Sequence, residues 1–142
     1  MALSQTATNA FKTGLMTGTY DFSSGTFKLA LYTGAATLDA TTGAYTATNE
    51  ASGGNYVAGG QALTVSVTPT IGSNPSNTVA YVSFADVTWT GAITARGALI
   101  YKVGGGNPSV CVLDFGSDKT STTTFQVQFP PATNTNAIIR IA

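Results

Sequence analysis

The sequence predicts an all-β fold made of short antiparallel strands. Between residues 79 and 102, apolar and polar side chains alternate in steps of two, which is the period of a strand and not of a helix. About seven or eight runs of this kind follow one another, and turn-forming residues separate them. In a chain of 142 residues this pattern is typical of one domain, an antiparallel β-sandwich of jelly-roll or immunoglobulin-like type.

An N-terminal arm, residues 1–18, is predicted to precede the β-sandwich domain, residues 19–142. A short helix is predicted over residues 4–16, with Ser4 as its N-cap. Leu3, Phe11 and Leu15 recur on one face of that helix, and Gly18 favours an end there. Because so short a helix gains most of its stability from packing, these three side chains are candidate contacts with the domain or with a neighbouring chain.

The predicted strands follow in chain order. They cover residues 27–33, 61–69, two runs within 79–102 joined by Thr90 and Gly91, then 109–115, 122–129 and 137–141. Turns are predicted at 72–77, 103–108 and 116–121. The alternation shifts at residues 84–87, which indicates a bulge or a bend into a second sheet. The core is predicted to contain Leu29, Leu31, Leu63, Val65, Val82, Phe84, Leu99, Leu113, Phe125, Val127 and Ile139.

Two residues of the 79–102 stretch have specific expectations. Trp89 is the only tryptophan, and we expect it to pack in or near the core. Arg96 is the one charge between Asp86 and Lys102. We expect Arg96 on a strand face that meets solvent, a carboxylate or a partner chain.

Residues 34–60 form a long irregular loop, rich in Thr, Ala, Gly and Asn. Loops of this length in a compact domain are uncommon, and they are usually functional, exchanged with a neighbour, or contain short elements. Since buried backbone groups need hydrogen-bond partners, we expect a neighbouring chain to supply some of them. Tyr45 and Tyr56 are the candidate contact residues in this loop.

Composition excludes several functions. Charged residues make up 8% of the chain, against about 25% in typical domains, and six basic residues balance six acidic ones. Such a surface protects a monomer poorly against association, so we expect much of it to contact other chains. Without a basic patch we expect no nucleic-acid binding. There is no apolar run long enough to span a membrane, and we expect no secretory signal.

The sequence predicts no enzymatic activity, no cofactor and no metal site. There is no histidine, which removes Ser-His-Asp and Cys-His arrangements and nearly all zinc sites. Cys111 lies in an apolar run and is expected to be a buried, unreactive thiol. Asp118 stands alone in a segment that would need more acidic ligands to hold calcium. Asp86 and Asp114 are expected to cap turns or to pair with a nearby cation.

Five phrases spanning nearly the whole chain carry a resemblance to a known family. They are FKLALYTGAATLDATTGAYTATNE, SGGNYVAGGQALT, FADVTWTGAITARGALIYK, VCVLDFGSDKTST and FQVQFPPATNTNAIIRI. In these phrases the chain resembles a family of small virion structural proteins of tailed bacteriophages, and the third phrase is the most specific of the five.

The resemblance implies a capsid decoration (cement) protein that binds the major capsid protein on the outer surface of the phage head. It also implies self-association, expected as a homotrimer, and no catalytic residues. A tail or neck component, including a receptor-binding or sugar-binding module that uses exposed tyrosines, is the alternative. An accessory domain of a secreted enzyme is a further alternative, and no catalytic neighbour accompanies it in the sequence.

Overall fold

The structure is a computed structural model that describes residues 2–72 and 78–142. The turn predicted at 72–77 lies outside these residues except for Gly72. The described residues form one helix and ten strands, in chain order β1 (Thr6–Ala7), α1 (Asn9–Thr17), β2 (Phe27–Tyr32), β3 (Gln61–Ala62), β4 (Val65–Ile71), β5 (Ala80–Phe84), β6 (Val87–Thr90), β7 (Thr94–Lys102), β8 (Ser109–Thr120), β9 (Thr124–Val127) and β10 (Ile139–Ile141).

The strands form three sheets in the described part of the chain. One sheet has five strands in the order β1-β8-β7-β2-β3, the second has the order β10-β5-β4, and the third joins β6 to β9. Every pair of neighbouring strands is antiparallel. The prediction of an all-β fold of antiparallel strands with one short helix is therefore confirmed.

The chain leaves one sheet and enters another at residues 85–86, where the sequence predicted a bulge or a bend. β5 belongs to the three-stranded sheet, whereas β6 pairs with β9. The two runs within 79–102 that Thr90 and Gly91 join do not pair with each other: β6 pairs with β9, and β7 pairs with β2 and β8. At the connecting turn, the Gly91 N–H donates to Thr123 O at 2.8 Å and so ties the turn to the chain that enters β9.

The helix begins later than predicted. Thr8, not Ser4, is its N-cap, and the Thr8 hydroxyl accepts a hydrogen bond from the Phe11 N–H. The preceding residues are extended, because β1 pairs with β8 and the Ser4 N–H donates to Leu38 O. The predicted end is confirmed: Gly18 takes the left-handed conformation, with φ of 74°, that closes the last turn.

Two strand predictions need correction. The run at 61–69 is divided into β3 and β4, which belong to different sheets. The turn predicted at 116–121 is largely strand, since β8 continues to Thr120 and pairs there with Thr94. Gly116, with φ of 83°, lies where the register between β7 and β8 shifts, and this bulge allows a polar, turn-like sequence to stay in the sheet.

Two hydrophobic clusters lie on the two faces of the five-stranded sheet. The larger cluster contains every predicted core residue except Leu99, with Leu63 and Val65 only partly buried at its edge. It also contains Trp89, which is 3% exposed as expected. The smaller cluster lies on the other face and contains Ala30, Tyr32, Ala36, Leu38, Leu99, Tyr101 and Val112.

Candidate functional site

An apolar groove lies between α1 and the three-stranded sheet, and two predicted contact residues line it. The groove has a volume of about 350 Å³. Phe11 is buried at its floor, and Leu15 is 37% exposed at its rim. The other apolar residues that line it include Tyr20, Phe22, Val82, Ile139 and Ile141.

The outer strands of the three-stranded sheet extend this apolar surface. Ile71 in β4 and Ile141 in β10 both lie opposite Ala80 in the central strand. Directly opposite residues share a face, so the three side chains form one row across the sheet. Ile71 is 57% exposed and Ile141 is 50% exposed. We call the surface formed by Leu15, Ile71 and Ile141 the groove face.

The groove carries little charge. Asp21 is the one charged residue that lines it. The Asp21 carboxylate accepts hydrogen bonds from the Ser23 N–H at 2.8 Å and the Ser24 hydroxyl at 2.8 Å. These bonds hold the pKa of Asp21 below its ordinary value, with the Ser24 hydroxyl as the largest cause. The carboxylate is thus occupied by its own turn, and the groove offers mainly apolar contact area.

Leu3 lies away from the groove. It is not helical: it forms a parallel bridge with Leu38 and packs against the smaller hydrophobic cluster. Its side chain contacts Gly97, where an added Cβ would lie 2.3 Å from the Leu3 methyl group. Leu3 therefore attaches the N-terminal arm to its own domain, and the stripe expected from Leu3, Phe11 and Leu15 does not exist as one face.

Tyr45 and Tyr56 converge on a carboxylate that the sequence reading missed. The Tyr45 hydroxyl donates to Glu50 Oε2 at 2.7 Å, and the Tyr56 hydroxyl donates to Glu50 Oε1 at 2.5 Å. The Gly59 N–H also donates to Oε1, at 2.7 Å. The available signal was that Glu50 is the only acid between Asp39 and Asp86 and lies between the two tyrosines.

Two tyrosines of the sheet complete this cluster. The Tyr101 hydroxyl donates to Gly59 O at 2.6 Å, and the Tyr32 hydroxyl donates to Thr46 O at 2.6 Å. Burial, followed by the negative charge of Glu50, raises the pKa of both phenols above the ordinary value. We call Tyr32, Tyr45, Tyr56, Tyr101 and Glu50 the tyrosine cluster. Its hydroxyls face the protein, so it is not an exposed aromatic platform for sugars.

The loop at 34–60 makes several of its backbone hydrogen bonds within its own chain. The Ala51 N–H donates to Leu31 O, and the Tyr45 N–H donates to Asn107 O. The Asn55 N–H donates to Thr90 O at 2.9 Å. Ala36 and Leu38 are buried beneath the loop. The loop is thus a structural covering of one sheet face.

Arg96 pairs with a carboxylate, which is one of the three environments expected for it. Its Nε lies 2.9 Å from Asp114 Oδ1, and the Arg96 side chain is 35% exposed. The hydrogen bond from Arg96, with a second from the Gly116 N–H, holds the pKa of Asp114 below its ordinary value. Asp86 does not match its expectation: it accepts from the Phe129 N–H at 2.9 Å, which is neither a turn next to it in sequence nor a cation. A partly exposed pair of this kind contributes little to stability.

The remaining chemical candidates give no reactive site. Cys111 is buried, and burial raises the pKa of its thiol to about 12. Within residues 2–72 and 78–142, no group of three or more acidic, cysteine or histidine side chains lies close enough to hold a metal ion. No helix in the same residues is long and apolar enough to cross a membrane.

Comparisons of the chain with known protein families, with curated proteins and with solved structures found no significant match.

Proposed function

We propose that this chain is a non-enzymatic structural protein of a bacteriophage virion, a capsid decoration protein that binds the major capsid protein on the outer surface of the head. The observation that carries the proposal is the groove face, which is apolar and nearly free of charge on a chain with 8% charged residues. Such a surface suits a protein that works against other subunits. The resemblance to virion proteins supports the same assignment.

We further propose that the three sheets make a β-sandwich, with the five-stranded sheet as one layer and the two smaller sheets as the other. The larger hydrophobic cluster supports this arrangement, because it combines side chains from β2, β7 and β8 with side chains from β5, β6, β9 and β10. A domain built in this way is a rigid support for the groove face.

On a phage head, the proposed role is stabilisation by linkage. A protein that binds the assembled shell and not free capsid subunits shifts the assembly equilibrium toward the shell. Subunits that also bind each other, as a homotrimer does, would add avidity to each capsid contact. The groove face supplies apolar area for the capsid contact.

Binding to purified heads that lack the protein tests the proposal. Leu15→Asp and Ile141→Asp each place a carboxylate in the groove face, and we expect at least about tenfold weaker binding to heads. Val57→Asp is the matched control, because Val57 is 71% exposed but lies on the loop at 34–60. Point substitutions are preferable to deleting the arm or the loop, since both are anchored within the domain.

Two results would overturn the proposal. One is equal binding of heads by the groove-face variants and the Val57→Asp control. The other is localisation of the protein by electron microscopy at a few copies on the tail, with heads unchanged in its absence. The second result would favour the alternative of a tail or neck component.

A further inference from the structure

The open edge of β9 differs from the other sheet edges in the described part of the chain. β9 pairs with β6 on one side, and no strand pairs with its other side. A groove of about 440 Å³ lies along that free side, between β9 and the distal half of β8. An unpaired edge presents backbone donors and acceptors that fit another extended chain.

The other edges are protected against such pairing. β1 and β3 are two residues long. β4 contains Pro69 and two register shifts, and β10 contains the exposed charge of Arg140. Short strands, prolines, bulges and charges all prevent edge pairing.

The other edge of the two-stranded sheet, which β6 forms, is covered at Thr90. Asn55 donates its N–H to Thr90 O at 2.9 Å, and its side-chain oxygen accepts from the Thr90 N–H at 2.8 Å. β9, in contrast, has no charge, no proline and no register shift in its sequence TFQV. Among the outermost strands of the three sheets in the described residues, β9 alone has none of these protecting features.

The hydrogen-bond pattern shows which residues of β9 face the open side. Because Asn55 occupies both backbone groups of Thr90, the pair of Thr90 with Thr124 is a non-hydrogen-bonded pair. Such pairs alternate with hydrogen-bonded ones along an antiparallel ladder. Thr88 and Gln126 are therefore also a non-hydrogen-bonded pair. The backbone N–H and C=O of Thr124 and Gln126 thus point away from β6, toward the groove.

We propose that this edge binds the same edge of a second copy of the chain, through antiparallel β9–β9 pairing about a two-fold axis near Gln126. This register brings Gln126 opposite itself and Phe125 opposite Val127 of the second copy. Polar side chains then meet polar ones, and apolar side chains meet apolar ones. Both residues of the Gln126 pair point their backbone groups at each other, as a hydrogen-bonded pair requires.

Charge and geometry favour a second copy as the occupant. An isologous contact places each group close to its own equivalent, so a charged strand would repel itself, whereas β9 is uncharged. The Gln128 side chain already donates to Gln126 Oε1 at 3.3 Å, and this row of amides would continue across the axis. Because both copies use the same edge, the contact closes at two copies, and Asn55 binds the backbone of Thr90 at the other edge of this sheet.

The inference does not depend on the proposed function. A two-fold contact through β9 could join trimers on a shell or form a dimer in solution. It uses a different surface from the groove face, so the two proposals fail separately.

Sedimentation velocity with charge-swapped variants tests the contact. The wild-type protein is expected to show a concentration-dependent two-fold association. Gln126→Lys and Gln126→Glu each place like charges opposite one another, and we expect each to weaken that association about tenfold or more. An equimolar mixture of the two variants places opposite charges across the axis and is expected to restore association as a mixed pair. Circular dichroism checks that both variants are folded.

Thr88→Lys is the matched control. Thr88 lies opposite Gln126 on the same exposed face, but on β6, away from the axis. We expect this variant to associate like the wild type. If Gln126→Lys proves unfolded, Thr124→Lys with Thr124→Glu repeats the test on the same edge.

The contact is refuted if the wild type stays monomeric up to millimolar concentration, or if its association is unchanged in both single variants. A trimer that the Gln126 variants leave unchanged refutes the β9 contact while leaving the proposed function intact.

Discussion

The two faces of the five-stranded sheet are covered in different ways. On one face, aromatic side chains from several elements pack together: Phe22 stacks on Phe27 with ring centroids 4.4 Å apart, and Phe84 lies beside both. On the other face, the irregular loop at 34–60 covers Tyr32, Leu99 and Tyr101. The first covering is held by apolar contact area, and the second depends on tyrosine hydroxyls and one carboxylate.

The difference shows two ways to bury a sheet. Apolar packing needs side chains of the right volume and tolerates little empty space. A covering without regular structure must instead satisfy its own backbone groups, because most of them have no strand or helix partner. Glu50 accepts hydrogen bonds from two phenol hydroxyls and one backbone N–H. It thus supplies part of the hydrogen bonding that a neighbouring strand would otherwise provide.

Removal of a side chain from the apolar covering should have the largest effect. Phe27 is 1% exposed and stacks on Phe22, so Phe27→Ala is expected to cost about 3–5 kcal/mol of unfolding free energy by leaving a cavity. Urea unfolding followed by circular dichroism measures this loss. Ile71→Ala is the control, because Ile71 is 57% exposed, and its effect should be within about 0.5 kcal/mol. A loss of unfolding free energy in Phe27→Ala as small as that in Ile71→Ala would mean that Phe27 is not in the core.

A change at Glu50 should have a smaller and more local effect. In Glu50→Gln one carboxylate oxygen becomes an NH₂ group that cannot accept, so a hydroxyl of Tyr45 or Tyr56 loses its acceptor. We expect a cost of about 1–3 kcal/mol. Hydrogen exchange should rise in the loop at 34–60 before it rises in β7.

Asp39→Asn is the matched control for Glu50→Gln. Asp39 is an acid of the same loop, and its carboxylate accepts from the Thr41 N–H and hydroxyl at the surface. Equal exchange in the two variants would show that the tyrosine cluster does not hold the loop.

The same contrast explains what the sequence could predict. Strands with clean alternation, such as β2 and β9, were found within a few residues, because the period of two is a local signal. The pairing of the strands is not a local property: β6 and β7 are adjacent in sequence but do not pair, and Asn55 and Thr123 bind the chain at the turn between them. No pattern in the neighbouring residues contains that information.

The start of the helix and the hydrogen bonds inside the loop could not be predicted for a related reason. Ser4 is a suitable N-cap by residue type, yet the pairing of β1 with β8 keeps the chain extended up to Thr8. The hydrogen bonds inside the polar loop could not be predicted either, because the convergence of Tyr45 and Tyr56 on Glu50 depends on the folded path. Of the six candidate contact residues, only Leu15 stays exposed on an apolar surface, with Phe11 beneath it.

Alkaline pH should loosen the loop covering and leave the aromatic one intact, with the smallest effect of the three. Burial and the Glu50 charge raise the pKa of Tyr32 and Tyr101 above the ordinary value of 10.0. The folded protein therefore releases these two phenol protons at higher pH than the unfolded chain does. The stability that this difference contributes is complete below pH 10 and is lost as the pH rises from there through the raised pKa values. Urea unfolding at a series of pH values measures how steeply the unfolding free energy falls with pH, and Tyr101→Phe should reduce this slope.

Phe27→Ala serves as the control, since it lowers the unfolding free energy at every pH without changing its slope against pH. An unchanged slope in Tyr101→Phe would mean that this phenol is not protected from ionisation in the folded protein.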